Sequence, residues 1–186
     1  PAVPLWAGTR PYETLPIQWS CHYEASEGAV QHAEFLDLSG DPPMRRVAES
    51  LLRVLGKVGP VLMYTSYERT VIAGLIARFP DLETPLAAIV DRLVDLHPPV
   101  AQFYYHPEMA GSWSLKAVLP TIAKDMSYTQ LEGIQHGTDA SEGFLEAIYP
   151  RTPDARKDVL RAELLRYCQF DTQAMVRLVQ FMANGP

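Results

Sequence analysis

The sequence is short of cysteine, of positive charge and of long apolar runs, and each shortage excludes a class of protein. Cys21 and Cys168 stand far apart without a CxxC partner, which excludes a disulfide framework and a zinc knuckle and fits a reducing cytoplasm. No stretch approaches the about 18 consecutive apolar residues of a membrane span, and no signal-peptide pattern is visible, so no membrane partner is expected. With 16 basic residues against 22 acidic ones the formal charge is −6, so the broad basic surface of a non-specific nucleic-acid binder is absent. Any nucleic acid would have to be held locally, through metal ions. There is no Gly-rich phosphate loop and no GxSxG. The five histidines, His22, His32, His97, His106 and His136, show no HExxH or HxH spacing, so no zinc motif is encoded. An initiator Met is also missing: the chain opens at Pro1, as expected of a piece of a longer protein.

What is present is a core. In 186 residues 47% are hydrophobic, enough for one globular domain spanning residues 1–186. Residues 17–24 alternate Ile17, Trp19, Cys21, Tyr23 against Gln18, Ser20, His22, Glu24, the period of a half-buried strand. A turn at Glu27-Gly28 and a second strand over 31–38 make an antiparallel hairpin. Asp41-Pro42 then opens a helix carrying Met44, Val47, Ala48, Leu51, Leu52 and Leu55. The unalternating run 60–64 predicts a strand buried on both faces. A helix to Phe79, another from Thr84-Pro85 and a short strand over 93–96 follow. The Pro- and Tyr-rich stretch 98–109 reads as a structured loop, 115–119 as a helix, and Thr152-Pro153-Asp154 starts a long helix to about residue 183. Its apolar stripe is Leu160, Leu164, Cys168, Met175, Leu178, Val179 and Met182. This order predicts an α/β fold with a mixed sheet flanked by helices.

Three acids break their local patterns. Asp171 lies in the inward stripe of the last helix, seven residues after Leu164 and four before Met175, where a carboxylate must be paired, hydrogen-bonded or metal-bound. Tyr167 is one turn earlier on the same face, so its hydroxyl and the carboxylate can converge. Glu68 follows the buried strand, at the carboxyl end where α/β sheets bind ligands; as an alternative, it serves the positive end of the next helix. Asp95 is a lone acid in an apolar strand, and its plainer role is a hydrogen bond to a helix N-terminus. Together the three would repel one another unless a divalent cation neutralised them, and oxygen ligands suit Mg²⁺ or Mn²⁺. Cys168 reads as a buried small hydrophobe. Arg45, Arg46, Arg53 and Lys57 read as a solvated face within reach of phosphates.

Several segments together resemble a known group. The strand and acid at Tyr64 to Glu68, Val94-Asp95-Leu96, Ser114-Leu115-Lys116 opening a helix, and Tyr167-x-x-x-Asp171 follow the order of the DEDD 3′ to 5′ exonucleases of the RNase H-like fold, in the subtype with Tyr in the last motif. More closely, Gly8-Thr9-Arg10-Pro11-Tyr12 with Ile17-Gln18-Trp19-Ser20, Tyr104-Tyr105-His106-Pro107 to Gly111-Ser112, Ser114 to Pro120, and Tyr167 to Val176 resemble a bacterial family, domain of unknown function 2779. The exonuclease resemblance implies that Asp171 and Glu68 are metal ligands, with Asp95 the third acid of the cation site read above. It also implies that Tyr167 orients the attacking water, that Ser114 and Lys116 touch substrate, and that two divalent metals cleave a phosphodiester. Two features depart from the pattern. No strand bearing Asp-x-Glu precedes the hairpin, where residues 1–15 hold only Glu13. Tyr64 also stands where Asn is common. The sheet is therefore expected to lack its first central strand, and the chain to be inactive by itself. Unpaired strand edges would invite homo-oligomers, and a degenerate nuclease fold serving as a nucleic-acid or protein interaction module is the alternative function.

Overall fold

The computed structural model describes residues 4–24 and 29–185; the expected turn at Glu27-Gly28 lies outside them. The chain is α/β. Strands β1 (Gln18–Glu24) and β2 (Val30–Leu36) precede α1 (Met44–Val54), β3 (Val61–Met63), α2 (Tyr67–Arg78), α3 (Glu83–Val90), β4 (Leu93–Asp95) and α4 (His97–Phe103). Helices α5 (Leu115–Ile122), α6 (Gly137–Ile148) and α7 (Asp154–Asn184) complete the order.

The alternation in β1 has the expected consequence, an antiparallel hairpin in which His22 faces His32 and Ser20 faces Glu34. Strands β3 and β4 pair in parallel, as a strand, helix, strand connection requires. The pairing is therefore mixed, but the described strands form two sheets of two rather than one, because no described strand lies between β1 and β3 to join them. The β3–β4 sheet is covered on one face only. Val61, Met63 and Leu93 pack on Met44, Ala48, Ile72, Leu75, Leu86 and Ile89, whereas the facing pair Leu62 and Val94 is 40% and 45% exposed. The apolar run therefore does not signal burial on both sides here: β-branched and aliphatic residues on the open face carry the same sequence signature.

Helix α7 joins the two halves. Leu164 packs with Phe144 and Ala140 of α6, Ala174 with Leu119 of α5, and Leu178 with Tyr64, Val100 and Val118. The expected stripe holds at Leu160, Leu164 and Leu178, but Met182 is 43% exposed, since the helix outruns the body it packs on. On the opposite side Trp19 Nε1 of β1 donates to the buried Ser50 of α1, which itself donates to Val47 O. Helix α1 begins at Met44 rather than at Pro42, and Arg46 bonds Asp37 and Ser39 of the incoming loop.

Two helices were not expected. The Pro-rich stretch opens α4, because Pro98 and Pro99 occupy the first turn, where the missing N–H has no intrahelical acceptor to lose. Helix α6 buries only Ala140, Gly143, Phe144 and Ala147, a weak apolar signal diluted by two glycines. Gly143 packs closely there: a Cβ would come within 2.9 Å of Ile134 Cδ1, so the Ile134 side chain would have to shift. Among the described residues both cysteines are free, and no helix is long and apolar enough to cross a membrane.

Candidate acidic site

The parallel pair ends where the acids begin. After Met63 the chain turns through Tyr64 and Thr65 into α2. Thr65 has φ of 71°, an unfavourable left-handed conformation for a β-branched residue, of the kind that persists only when its surroundings enforce it. Asp95 supplies part of that enforcement: its Oδ1 accepts from Thr65 N and from His97 N, both at 2.9 Å. One carboxylate oxygen thus ties the exit of β3 to the first turn of α4. The plainer role foreseen for Asp95 is real, and it also brings the neighbouring strand end into position.

Glu68 follows in the first turn of α2, partly buried, with Oε2 inaccessible and without a hydrogen-bond partner among the described residues. Burial pushes its carboxyl above the ordinary range; a bond to its own backbone opposes this, and the charges of Asp95 and Asp171 add to the rise. The structure therefore brings Glu68 within electrostatic reach of both other acids, although the three come from α2, β4 and α7. Asp171 is also raised by burial, against the lowering effects of a hydrogen bond from Tyr128 and the charge of Lys116.

Tyr128 is the residue that sequence reasoning missed. Its hydroxyl donates to Asp171 Oδ1 at 2.6 Å, and its ring is buried against Phe170, edge to face at 4.8 Å. Desolvation first, then the Asp171 charge, holds the phenol fully protonated, so it can only be the donor. It sits in a 3₁₀ turn over Tyr128–Gln130, a segment with no periodicity to flag an inward residue. Tyr167 lies one turn before Asp171, as expected, with its hydroxyl pushed up to about 12 by burial and then by Asp171.

The two proposed substrate residues differ. Ser114 is exposed at the start of α5, bonded through its hydroxyl to Ser112. Lys116 is engaged: Nζ donates to Gln135 O at 2.8 Å, contacts His136 Nδ1 at 3.3 Å, and lies over the Tyr128 and Tyr167 rings at 4.7 and 5.4 Å. Its charge reaches Asp171 through an aromatic cage. Tyr64 is a packing residue whose hydroxyl donates to Trp113 O. Arg45 and Arg46 are occupied by Asp81 and Asp37. Glu13 is bound by Arg78 and by Arg10 N in an irregular segment, away from any metal-ligating role. Burial pushes the Cys168 thiol up to about 12, which makes it inert.

Oxygen donors of this kind suit a hard cation, and the unpartnered Glu68 oxygen is the sort of atom such an ion satisfies. Among the described residues, however, no three His, Cys, Asp or Glu side chains converge closely enough to enclose a metal. A hollow of about 380 Å³ lined by Phe35, Asp37, Arg46 and Arg161 contains none of Glu68, Asp95 and Asp171.

Fold and site thus define an α/β domain with carboxylates gathered at the carboxyl ends of a parallel strand pair and on a long helix packed behind it. The chain belongs to the family described as domain of unknown function DUF2779, whose model matches residues 1–114. Glu68 and Asp95 lie within that match, whereas Tyr128, Tyr167 and Asp171 lie beyond it. No curated protein and no solved structure matches the chain.

Proposed function

We propose that the chain is an exonuclease-like domain directed at nucleic-acid phosphodiesters, with Glu68, Asp95 and Asp171 as its share of a Mg²⁺ or Mn²⁺ site. The observation that carries this reading is Glu68, a buried carboxylate oxygen without a partner, under the charge of two further acids at a strained strand end. A bound divalent cation would supply activation of water and neutralisation of the leaving oxygen. The chain's own residues set the stage for it. Tyr128 orients the Asp171 carboxylate, Tyr167 offers a hydroxyl that stays protonated at neutral pH, and Lys116 holds a positive charge behind both. Because the described ligands are too few, cation affinity is weak and turnover by this chain alone is slow or absent.

A second reading, an interaction module without turnover, is favoured by Asp95, whose Oδ1 is already committed to two backbone amides. In either case the outer edges of β1 and β3, unpaired among the described residues, are where a second copy would add a strand.

Mn²⁺ binding followed by electron paramagnetic resonance, with a labelled single-stranded oligonucleotide present or absent, separates these readings. We expect saturable Mn²⁺ binding that Glu68→Gln and Asp171→Asn each weaken about tenfold, and any Mn²⁺-dependent trimming to be lost in Asp171→Asn. Mn²⁺ binding indifferent to both substitutions would overturn the nuclease reading. Oligonucleotide binding that ignores the cation would establish the second.

A further inference from the structure

A separate polar cluster sits on the hairpin, on the neighbouring face of α7. His32 Nε2 and Ser20 Oγ are 2.8 Å apart, Ser20 Oγ and Thr172 Oγ1 are 2.8 Å apart, and Thr172 Oγ1 and His22 Nδ1 are 2.8 Å apart. Thr172 Oγ1 also donates to Gln169 O at 3.1 Å. Proton accounting along this chain has one solution. A carbonyl can only accept, so the single Thr172 proton goes to Gln169 O. The Ser20 proton must then serve Thr172. Ser20 Oγ, its proton spent, must accept from His32 Nε2–H, and Thr172 Oγ1 must accept from His22 Nδ1–H. Both tautomers follow, and His22 Nε2 and His32 Nδ1 are left as the basic nitrogens. Neither has a hydrogen-bond partner among the described residues.

The register brings the two rings together. Asp37 N donates to Ile17 O, so 17 and 37 form a hydrogen-bonded pair and the alternation makes His22 and His32 a non-hydrogen-bonded pair, the type whose side chains are closer. Their ring centroids are 4.6 Å apart, within the reach of one ion bound about 2 Å from a nitrogen of each ring. The side chain of His32 is 21% exposed, and Glu34, 3.9 Å from His32 Nε2, is 35% exposed, so the site is open to solvent on one side. Metal-bound imidazoles characteristically donate their second N–H to a fixed acceptor; here Thr172 and Ser20 are those acceptors, already in place.

We infer that His22 and His32 form a cross-strand clip for a divalent transition ion of the copper, nickel and zinc class. Water completes its coordination, since no three His, Cys, Asp or Glu side chains converge among the described residues. The nine residues between the two histidines match no ligand-spacing motif; only strand pairing makes them neighbours. The clip uses nitrogen donors and is independent of the acidic site, which offers oxygen alone.

Calorimetric titration with Cu²⁺ alone in a non-coordinating buffer tests it. One equivalent should bind with a dissociation constant of micromolar order, the affinity falling at least about tenfold in His22→Ala and in His32→Ala. His106→Ala and Asp171→Asn should leave it unchanged. On the unsubstituted chain, electron paramagnetic resonance should show two imidazole nitrogens on the copper, and imidazole ¹⁵N shifts should place the protons on His22 Nδ1 and His32 Nε2. Copper binding indifferent to His22→Ala and His32→Ala, or a spectrum with fewer than two imidazoles, would overturn the proposal. Loss of binding in Asp171→Asn would move the ion to the acids instead.

Discussion

Adjacent residues of α7 face two polar regions that have solved the same problem differently. Thr172 meets the hairpin, where every hydroxyl and imidazole of the cluster has its proton placed and its acceptor found. Asp171 meets the ends of β3 and β4, where one carboxylate is held by Tyr128, another by backbone amides, and the third keeps a buried oxygen without a partner. Buried neutral groups can be satisfied by one another, because each carries both a donor and an acceptor. Ionised carboxylates cannot, because all their oxygens accept. A cluster of acids therefore needs donors or a cation from outside itself, as the unpartnered Glu68 oxygen shows, whereas the hairpin cluster is satisfied internally up to the two imidazole nitrogens it leaves free.

The largest effect is expected on the satisfied side. Thr172→Val keeps the shape but strands the Ser20 hydroxyl and the His22 Nδ1–H, so stability should fall by about 1–3 kcal/mol, a loss of several degrees in Tm by scanning calorimetry. If Tm is unchanged, the network does not anchor the hairpin to α7. Tyr128→Phe comes next, removing one hydrogen bond to a carboxylate at a cost of about 1–2 kcal/mol. It should also move the Asp171 titration further upward in a carboxyl-detected NMR experiment, because the Tyr128 bond is one of the two effects holding it down.

The smallest change should have the opposite sign. The Glu68 carboxyl is raised in the folded chain, so between its unfolded and folded values the folded state binds more protons than the unfolded state, and stability falls as pH rises through that window. Glu68→Gln removes the charge that cannot be satisfied, and should flatten this pH dependence and raise Tm by a few degrees at neutral pH, equivalent to about 1 kcal/mol. A drop in Tm would mean that Glu68 has a partner in solution that the protein's own side chains do not provide.

How much was legible follows the same division. The alternation in β1 sufficed for the hairpin, and the stripe of α7 for the helix and for the inward Asp171, because periodicity is a local property of the chain. The acids at 68 and 95 were legible for a related reason, since a charge inside an apolar strand or at its carboxyl end breaks a local rule. Tyr128 broke none: an aromatic residue in an aperiodic segment has no pattern to violate, and its bond to Asp171 crosses 43 positions. Helix α4 was hidden by prolines that are harmless in a first turn, and α6 by its small buried residues. Lys116 was legible as a cation near the site, but its aromatic cage and its bond to Gln135 were not.

By itself, then, the sequence determined the elements, the α/β class, the scarcity of positive charge and the identity of the unusual acids, all of which are set by neighbours a few residues away. Only the tertiary structure decided which groups share a space. It brought Glu68 under the charges of Asp95 and Asp171, gave Asp171 its tyrosine, separated the strands into two pairs, and set His22 against His32. Those outcomes depend on strand register and helix packing, where a shift of one residue turns a side chain to the opposite face, and no local pattern carries that information.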